Sequence, residues 1–217
     1  MTDAVRANQI LEQINISKKD ENQILEILRD GLNLYQVSLF VVNGNGQSID
    51  LRAATGKLGE LLIERRHRFQ INDTQSLIGK AINRAEIQAY ETKYTEQTGC
   101  VRQYRCPSPD KVQLGERLPL ELIEESVIRH WKFASAFAPP IGWEVCLPVR
   151  DQGQIAGAFD FQAQLLLSSQ DKKFWSPAGY ELINDGAGVE FTVEACTTLQ
   201  WLANRLYERY PFGKDAA

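Results

Sequence analysis

Two β-hairpin patterns frame the sequence, and they constrain the fold more than any other feature. The first runs from Gln36 to Val42, turns at Asn43-Gly44-Asn45-Gly46 and returns from Gln47 to Ala54. In its second arm Ile49, Leu51 and Ala53 alternate with Ser48, Asp50 and Arg52, the period of a half-buried strand. Asn-Gly tolerates the positive φ angles that tight hairpins require. The second runs from Trp143 to Arg150, turns at Asp151-Gln152-Gly153 and returns from Gln154 to Gln164. Val145, Leu147 and Val149 alternate in one arm, and Ile155, Gly157, Phe159 and Phe161 in the other. Hairpins joined by short turns pair antiparallel, so a largely antiparallel sheet with helices packed on it is expected.

The remaining pattern supplies those helices. Ile10, Leu11 and Ile14 form a short stripe, Ser17 to Asp20 interrupts it, and Ile24, Ile27, Leu28 and Leu32 recur at helical spacing behind a capping Asp20. Leu58 to Arg66 reads as a short helix, His67 to Ile71 as a short strand, and Ile87 to Thr92 as another strand. Asn72-Asp73-Thr74 offers caps for a helix through Ser76 to Asn83. A last helix from about Val193 to Tyr210 has Thr192 as its cap and stops at Pro211 and Gly213. Two stretches break the pattern. Lys93 to Gly142 carries Pro107, Pro109, Pro119, Pro139 and Pro140. Inside it, Leu120, Ile123 and Val127 suggest a helix over Pro119 to Trp131, so the stretch reads as an insertion or lid. Leu165 to Glu190 is polar and Gly-bearing around Phe174-Trp175. The organisation expected is one domain over 1–213 with insertions at about 93–142 and 165–190.

Composition serves mainly to exclude. The 217 residues carry 24 Lys+Arg against 28 Asp+Glu, a net charge of −4, which gives no electrostatic reason to expect nucleic acid or an anionic membrane as partner. No stretch approaches the roughly 18 apolar residues of a spanning helix, and the first residues lack a signal-peptide core, so a cytoplasmic protein is expected. Two histidines leave little material for catalysis or a His-rich metal site. The four cysteines, Cys100, Cys106, Cys146 and Cys196, form no Cys-x-x-Cys pair, which excludes a zinc ribbon or a thioredoxin-like motif. Cys100 and Cys106 are either a disulfide or redox pair, or two unrelated thiols. No Gly-x-Ser-x-Gly, His-Glu-x-x-His or phosphate loop is present, so no enzyme class is indicated.

Four segments in order resemble the GAF family of sensing domains, relatives of the PAS domains. They are Tyr35 to Val42 with the Asn-Gly turn and Leu51 to Gly56; Arg66 to Ile71 leading into Ser76-Leu77-Ile78-Gly79-Lys80-Ala81; Glu144 to Arg150 through Ile155 to Gln162; and a closing helix containing Leu199 to Leu206. The resemblance implies an α+β fold. A central antiparallel sheet has the terminal helices on one face, with short helices and a long lid on the other. A ligand pocket is then expected between sheet and lid. Strand alternation, matched to bilin-binding GAF domains, selects Glu144 and Cys146 from one strand, Ala158, Asp160 and Gln162 from the next, and Leu39 and Val41 from the first hairpin. For Asp160 the competing reading is a solvated sheet margin.

The resemblance implies a non-catalytic sensor or regulatory module that takes an unidentified small molecule and signals through its terminal helices. The marks of the cyclic-GMP branch are not visible. The Cys-His of covalent bilin binders is missing, because Val101 follows Cys100 and Pro107 follows Cys106. The sequence names no cofactor. A ligand-free scaffold that docks partners through its insertion is the alternative. A redox enzyme using Cys100, Cys106 and Cys146, as in the free methionine-sulfoxide reductase branch, is a further one, although the surrounding residues do not match that branch. The basic run around His67 reads as a solvated face, and His130-Trp131 as core or lid packing. On the last helix, Ala195, Leu199, Leu202 and Leu206 form one stripe, and Cys196, Ala203, Tyr207 and Tyr210 a second. The second stripe suggests a homodimer, unless Ile10, Leu11 and Ile14 fold back over it.

Overall fold

The computed structural model describes residues 3–15, 20–64, 67–95, 98–107, 113–114, 118–128, 141–164, 193–210 and 212. Its elements run α1 (Asp3–Asn15), α2 (Glu21–Leu32), β1 (Gln36–Val42), β2 (Ser48–Thr55), α3 (Lys57–Glu64), β3 (Arg68–Gln70), α4 (Leu77–Arg84), β4 (Ile87–Thr95), β5 (Thr98–Cys106), β6 (Glu121–Ile128), β7 (Ile141–Asp151), β8 (Gln154–Gln164) and α5 (Val193–Arg209). The strands form one open sheet in the order β3-β2-β1-β8-β7-β4-β5-β6. Each pairing is antiparallel. This is the α+β architecture expected from the two hairpins, which lie side by side at its centre as β2-β1 and β8-β7. The β7–β8 turn places Gln152 and Gly153 at φ 50 and 84, the conformation of a two-residue hairpin turn.

Local chemistry sets the helix ends. Asp20 caps α2 by accepting from the Gln23 N–H at 2.8 Å, and Asn33 ends it in the left-handed region at φ 59. The cap of α4 is Ser76, whose Oγ accepts from the Gly79 N–H at 2.9 Å. Asp73 instead orders the turn before it, accepting from the N–H groups of Gln75 at 2.8 Å and Ser76 at 3.3 Å. A Cβ on Gly79 would lie 2.3 Å from the Asp73 carbonyl oxygen, so this residue of the Ser-Leu-Ile-Gly run has to be glycine.

The two sheet faces differ in kind. On one, Val37, Leu39, Ile87, Ala89, Val145, Leu147, Val149, Phe159 and Phe161 pack beneath α1, α2 and α5. Burying each large side chain here contributes roughly 1.5–3 kcal/mol. On the other, a smaller cluster joins Phe40, Ile49 and Ala158 to Ile78, Ala81 and Ile82 of α4. Both stripes of α5 are covered within one chain: Cys196, Leu199, Leu202, Ala203, Leu206 and Tyr207 are buried together with Ala7, Ile10, Leu11 and Ile14 of α1. The Tyr210 hydroxyl donates across this contact to the Ile14 carbonyl at 3.5 Å. The fold-back of α1 thus removes the uncovered stripe that suggested a homodimer.

Other expectations are corrected. Residues 121–128 form the edge strand β6, not a helix. The cause is pairing with β5, whose Arg105 meets Glu121 at 3.0 Å and whose Arg102 pairs with Glu125. Ile123 is the extra residue of a bulge, Gln103 facing Glu124 and Tyr104 facing Leu122. The bulge lets glutamates four apart meet arginines three apart. The described part of the 93–142 stretch therefore widens the sheet instead of forming a helical lid. Residues 129–140, with His130-Trp131, and 165–192, with Phe174-Trp175, lie outside the described residues. Cys100 and Cys106 sit six residues apart on β5, about 20 Å in an extended strand, far beyond the reach of a disulfide between them. No helix among the described residues is long and apolar enough to cross a membrane.

Candidate functional site

The face opposite α1, α2 and α5 carries a polar grid in the middle of the sheet. Alternation along β7 turns Glu144 and Cys146 to this face while Trp143, Val145 and Leu147 join the core. Along β8 it turns Ala158, Asp160 and Gln162 the same way. The strand register then builds two rows. Ser38, Asp160, Cys146 and Gln88 are consecutive cross-strand neighbours, and so are Gln36, Gln162, Glu144 and Tyr90. Four adjacent strands thus place eight polar side chains beside one another, within the 4.5–5.5 Å Cβ spacing of directly paired residues. Asp160 is 4% exposed and Cys146 0%, so the aspartate is interior and not on a solvated margin. Gln36, Ser38, Gln88 and Gln162 are also buried, and Glu144 and Tyr90 are partly so.

Hydrogen bonds tie the grid together. Gln162 Nε2 donates to Asp160 Oδ2 at 2.8 Å, and Gln36 Nε2 donates to Ser38 Oγ at 2.8 Å. Cys146 Sγ lies 3.8 Å from Glu144 Oε1 and 3.7 Å from Asp160 Oδ1. Tyr90 donates its hydroxyl hydrogen to Glu144. Burial pushes the Glu144 carboxyl up to about 7, against the Tyr90 hydrogen bond that favours its anion. Burial and the neighbouring Glu144 charge push Asp160 well above the usual carboxylate range. Burial and both carboxylates hold the Cys146 thiol protonated. The grid contains no Lys, Arg or His, and it is rich in acceptors. Among the described residues, Gln36 Oε1 and Gln162 Oε1 are buried without a hydrogen-bond partner. Leaving a buried acceptor unsatisfied costs about 1–3 kcal/mol, so the arrangement is not one that folding alone favours.

Glu144, Cys146, Ala158, Asp160 and Gln162 therefore share one face, as alternation from the second hairpin selects. Leu39 and Val41 do not join them. They pack on the helix face, where Leu39 is fully buried opposite Phe159. Ser38 and Phe40, one position away, take the places on the grid side. Gln36, Ser38, Gln88 and Tyr90 were missed. For Gln36 and Ser38 a signal is present in β1, where they are the polar residues of an otherwise apolar strand. Two other features stand apart from the grid. Arg68 of the basic run is engaged by Asp50 at 2.6 Å. A cleft of about 570 Å³ opens at the hairpin turns, bordered by Asn43, Asp151, Gln154, Tyr207 and Phe212, and includes none of the grid residues.

No family model matches the sequence, and no curated protein matches it. Solved structures do match in shape. A free methionine-R-sulfoxide reductase from Neisseria meningitidis, solved in complex with its substrate, superposes over 97% of this chain and 89% of its own, with TM-score 0.51 and 13% identity. The GAF domain of Aquifex aeolicus nlh2 covers 96% and 95%, with TM-score 0.49 and 10% identity. The GAF domain of a Coxiella burnetii phosphoenolpyruvate-protein phosphotransferase covers 80% and 86%, with TM-score 0.47 and 16% identity. At such identities the likeness concerns the fold alone. The fold is of the GAF type, as the four segments implied.

Proposed function

We propose that this chain is a non-catalytic GAF-type regulatory module that seats a small molecule against the polar grid and passes its state on through the terminal helices. The observation that carries the reading is the block of half-buried Glu144 with buried Cys146, Asp160 and Gln162, beside which the Oε1 atoms of Gln162 and Gln36 find no donor among the described residues. Polar groups of this kind are costly to bury unless something pairs with them. The helices fit the role of output. The strands that present the grid on one face present Val145, Leu147, Phe159 and Phe161 to α1, α2 and α5 on the other. A strand displaced by a ligand would therefore press directly on helix packing.

The reductase that shares the fold acts on free methionine-R-sulfoxide, but the cysteines here disfavour redox catalysis. Cys106 is buried on the helix face and Cys146 on the grid face, so they cannot act on one substrate. A nucleophilic cysteine also needs a stabilised thiolate, and two carboxylates beside Cys146 oppose it. A partner protein or second copy would meet the outward sides of α1 and α5, and cytoplasmic residence is part of the same reading. The test is native against denatured mass of the purified protein. An organic adduct retained by the wild type and lost in Asp160→Asn supports the ligand seat. An apo chain of unchanged mass that no small-molecule library stabilises overturns it, and the subunit count comes from the same spectrum.

A further inference from the structure

The geometry points to a divalent metal site of the zinc class within the grid, with Glu144, Cys146 and Asp160 as its protein ligands. The inference rests on the reading of this face as a ligand seat and names what the seat holds. One ligand atom from each residue lies within 4.8 Å of the other two. The thiol lies 3.7 Å from Asp160 Oδ1 and 3.8 Å from Glu144 Oε1, and the two carboxyl groups also hydrogen-bond each other, so the three groups converge on one point. Zinc–sulfur and zinc–oxygen bonds of about 2.3 and 2.0–2.2 Å at a tetrahedral angle separate the two ligand atoms by about 3.5 Å. The observed spacing is close to that edge, and small side-chain rotations would close it.

The acceptor excess supplies a second, independent argument. Gln162 is 7% exposed and is held in the cluster by its bond to Asp160, yet its Oε1 has no donor among the described residues. Its cross-strand neighbour Gln36, 1% exposed, has the same orphan oxygen. Three protein ligands leave one tetrahedral position open, and a water there carries two hydrogens. Such a water would supply donors of the kind these amide oxygens lack. Tyr90 on Glu144 and Gln162 on Asp160 are outer partners of the sort that orient metal ligands. The sulfur decides the class of cation. Calcium and magnesium prefer all-oxygen cages, whereas thiolate with carboxylate suits zinc, cobalt or iron. An organic ammonium group would use the carboxylates but gain little from the thiol.

The full-length protein, stripped with chelator, is titrated with Co²⁺ and then with Zn²⁺. One Co²⁺ per chain is expected, with a near-ultraviolet thiolate-to-cobalt charge-transfer band that Zn²⁺ abolishes. Cys146→Ser should remove the band. Cys100→Ser should leave it unchanged, because Cys100 lies on β5 beyond β4. Gln162→Leu should weaken binding roughly 10- to 100-fold, as loss of an outer partner does. Circular dichroism checks that each variant folds, and Glu144→Gln replaces Cys146→Ser if that one does not, with loss of stoichiometric binding as its readout. Absence of stoichiometric Co²⁺, or a band that survives Cys146→Ser, overturns the metal site. If metal fails but an organic adduct depends on Asp160, the ligand seat stands without the metal. If both fail, both readings fall.

Discussion

Substituting Gly157 by alanine tests the contact that brings the two halves of the grid together. Gly157 lies on β8 opposite Val41 of β1, three residues from Asp160. A Cβ there would sit 2.2 Å from the Phe40 carbonyl oxygen and 3.1 Å from Val41 Cα. Ordinary contact begins at 3.4 Å, so the deficit is 3.4 − 2.2 = 1.2 Å, and both neighbours are backbone that no rotamer change can move. Opening the strands by that distance stretches the local β1–β8 hydrogen bonds past any useful length. Two lost bonds at about 1 kcal/mol each, plus overpacking strain of about 1–3 kcal/mol, give a cost of roughly 3–5 kcal/mol. Gly44→Ala is the control. Its added Cβ meets nothing within 4 Å, and a change within about 0.5 kcal/mol is expected. Urea unfolding of wild type and both variants measures the difference. Hydrogen exchange should show loosened protection at Phe40 and Val41 in the Gly157 variant. Equal midpoints for the two variants would refute the close approach, and with it the register that aligns Ser38 with Asp160.

Three further outcomes follow from the same structure. Phe159→Ala should destabilise the fold by about 3–5 kcal/mol in urea melts, because the ring is fully buried and meets Phe161 and Phe212 at 5.9 and 5.8 Å between centroids. Labelling of the folded protein with a thiol reagent should modify Cys100 first, since Cys106, Cys146 and Cys196 are buried; equal rates at all four would contradict their placement. Asp73 has burial raising its pKa, but hydrogen bonds from Ser76 and the Gln75 and Ser76 N–H groups, with Lys80, lower it overall. Its contribution is present above the unfolded-state value and lost as pH falls through the folded one, so Asp73→Asn should cost up to about 1 kcal/mol at neutral pH and nothing in strong acid.

What the chain reveals before folding depends on whether the two faces of a strand differ in residue type. In β2, polar and apolar residues alternate, and in β7 and β8 the large apolar residues recur at every second position. The phase is plain, and it placed Glu144, Cys146, Ala158, Asp160 and Gln162 together. In β1 the polar residues Gln36 and Ser38 give way to Phe40, so the contrast stops at Ser38 and the run Leu39-Phe40-Val41 does not show its phase. A phase error of one residue moves every side chain to the opposite face, which is what separates Leu39 and Val41 from Ser38 and Phe40. β6 failed for a different reason. Leu120, Ile123 and Val127 imitate helical spacing, and pairing with β5, accommodated by a bulge at Ile123 and matched by Arg–Glu pairs, makes an edge strand of the segment. Cross-strand partners distant in sequence are not legible from a local period.

The position of the grid is itself evidence about its role. Polar residues accumulate at sheet edges and on wet faces without any function, because water satisfies them there. Here β1, β8, β7 and β4 are the four central strands of eight, and six of the eight polar positions are less than a tenth exposed. The neighbouring positions on the same face are apolar, with Phe40 and Ala158 against Ile78 and Ile82. The sheet can thus fill this face with hydrocarbon a few ångströms away. A chain under pressure for stability alone would extend that packing to Asp160 and Cys146, since well-packed apolar replacements of buried charge are often neutral or stabilising. Two carboxyl groups, a thiol and two amide oxygens without a donor among the described residues, held at the centre of the sheet instead, support the proposal that this face is a ligand seat.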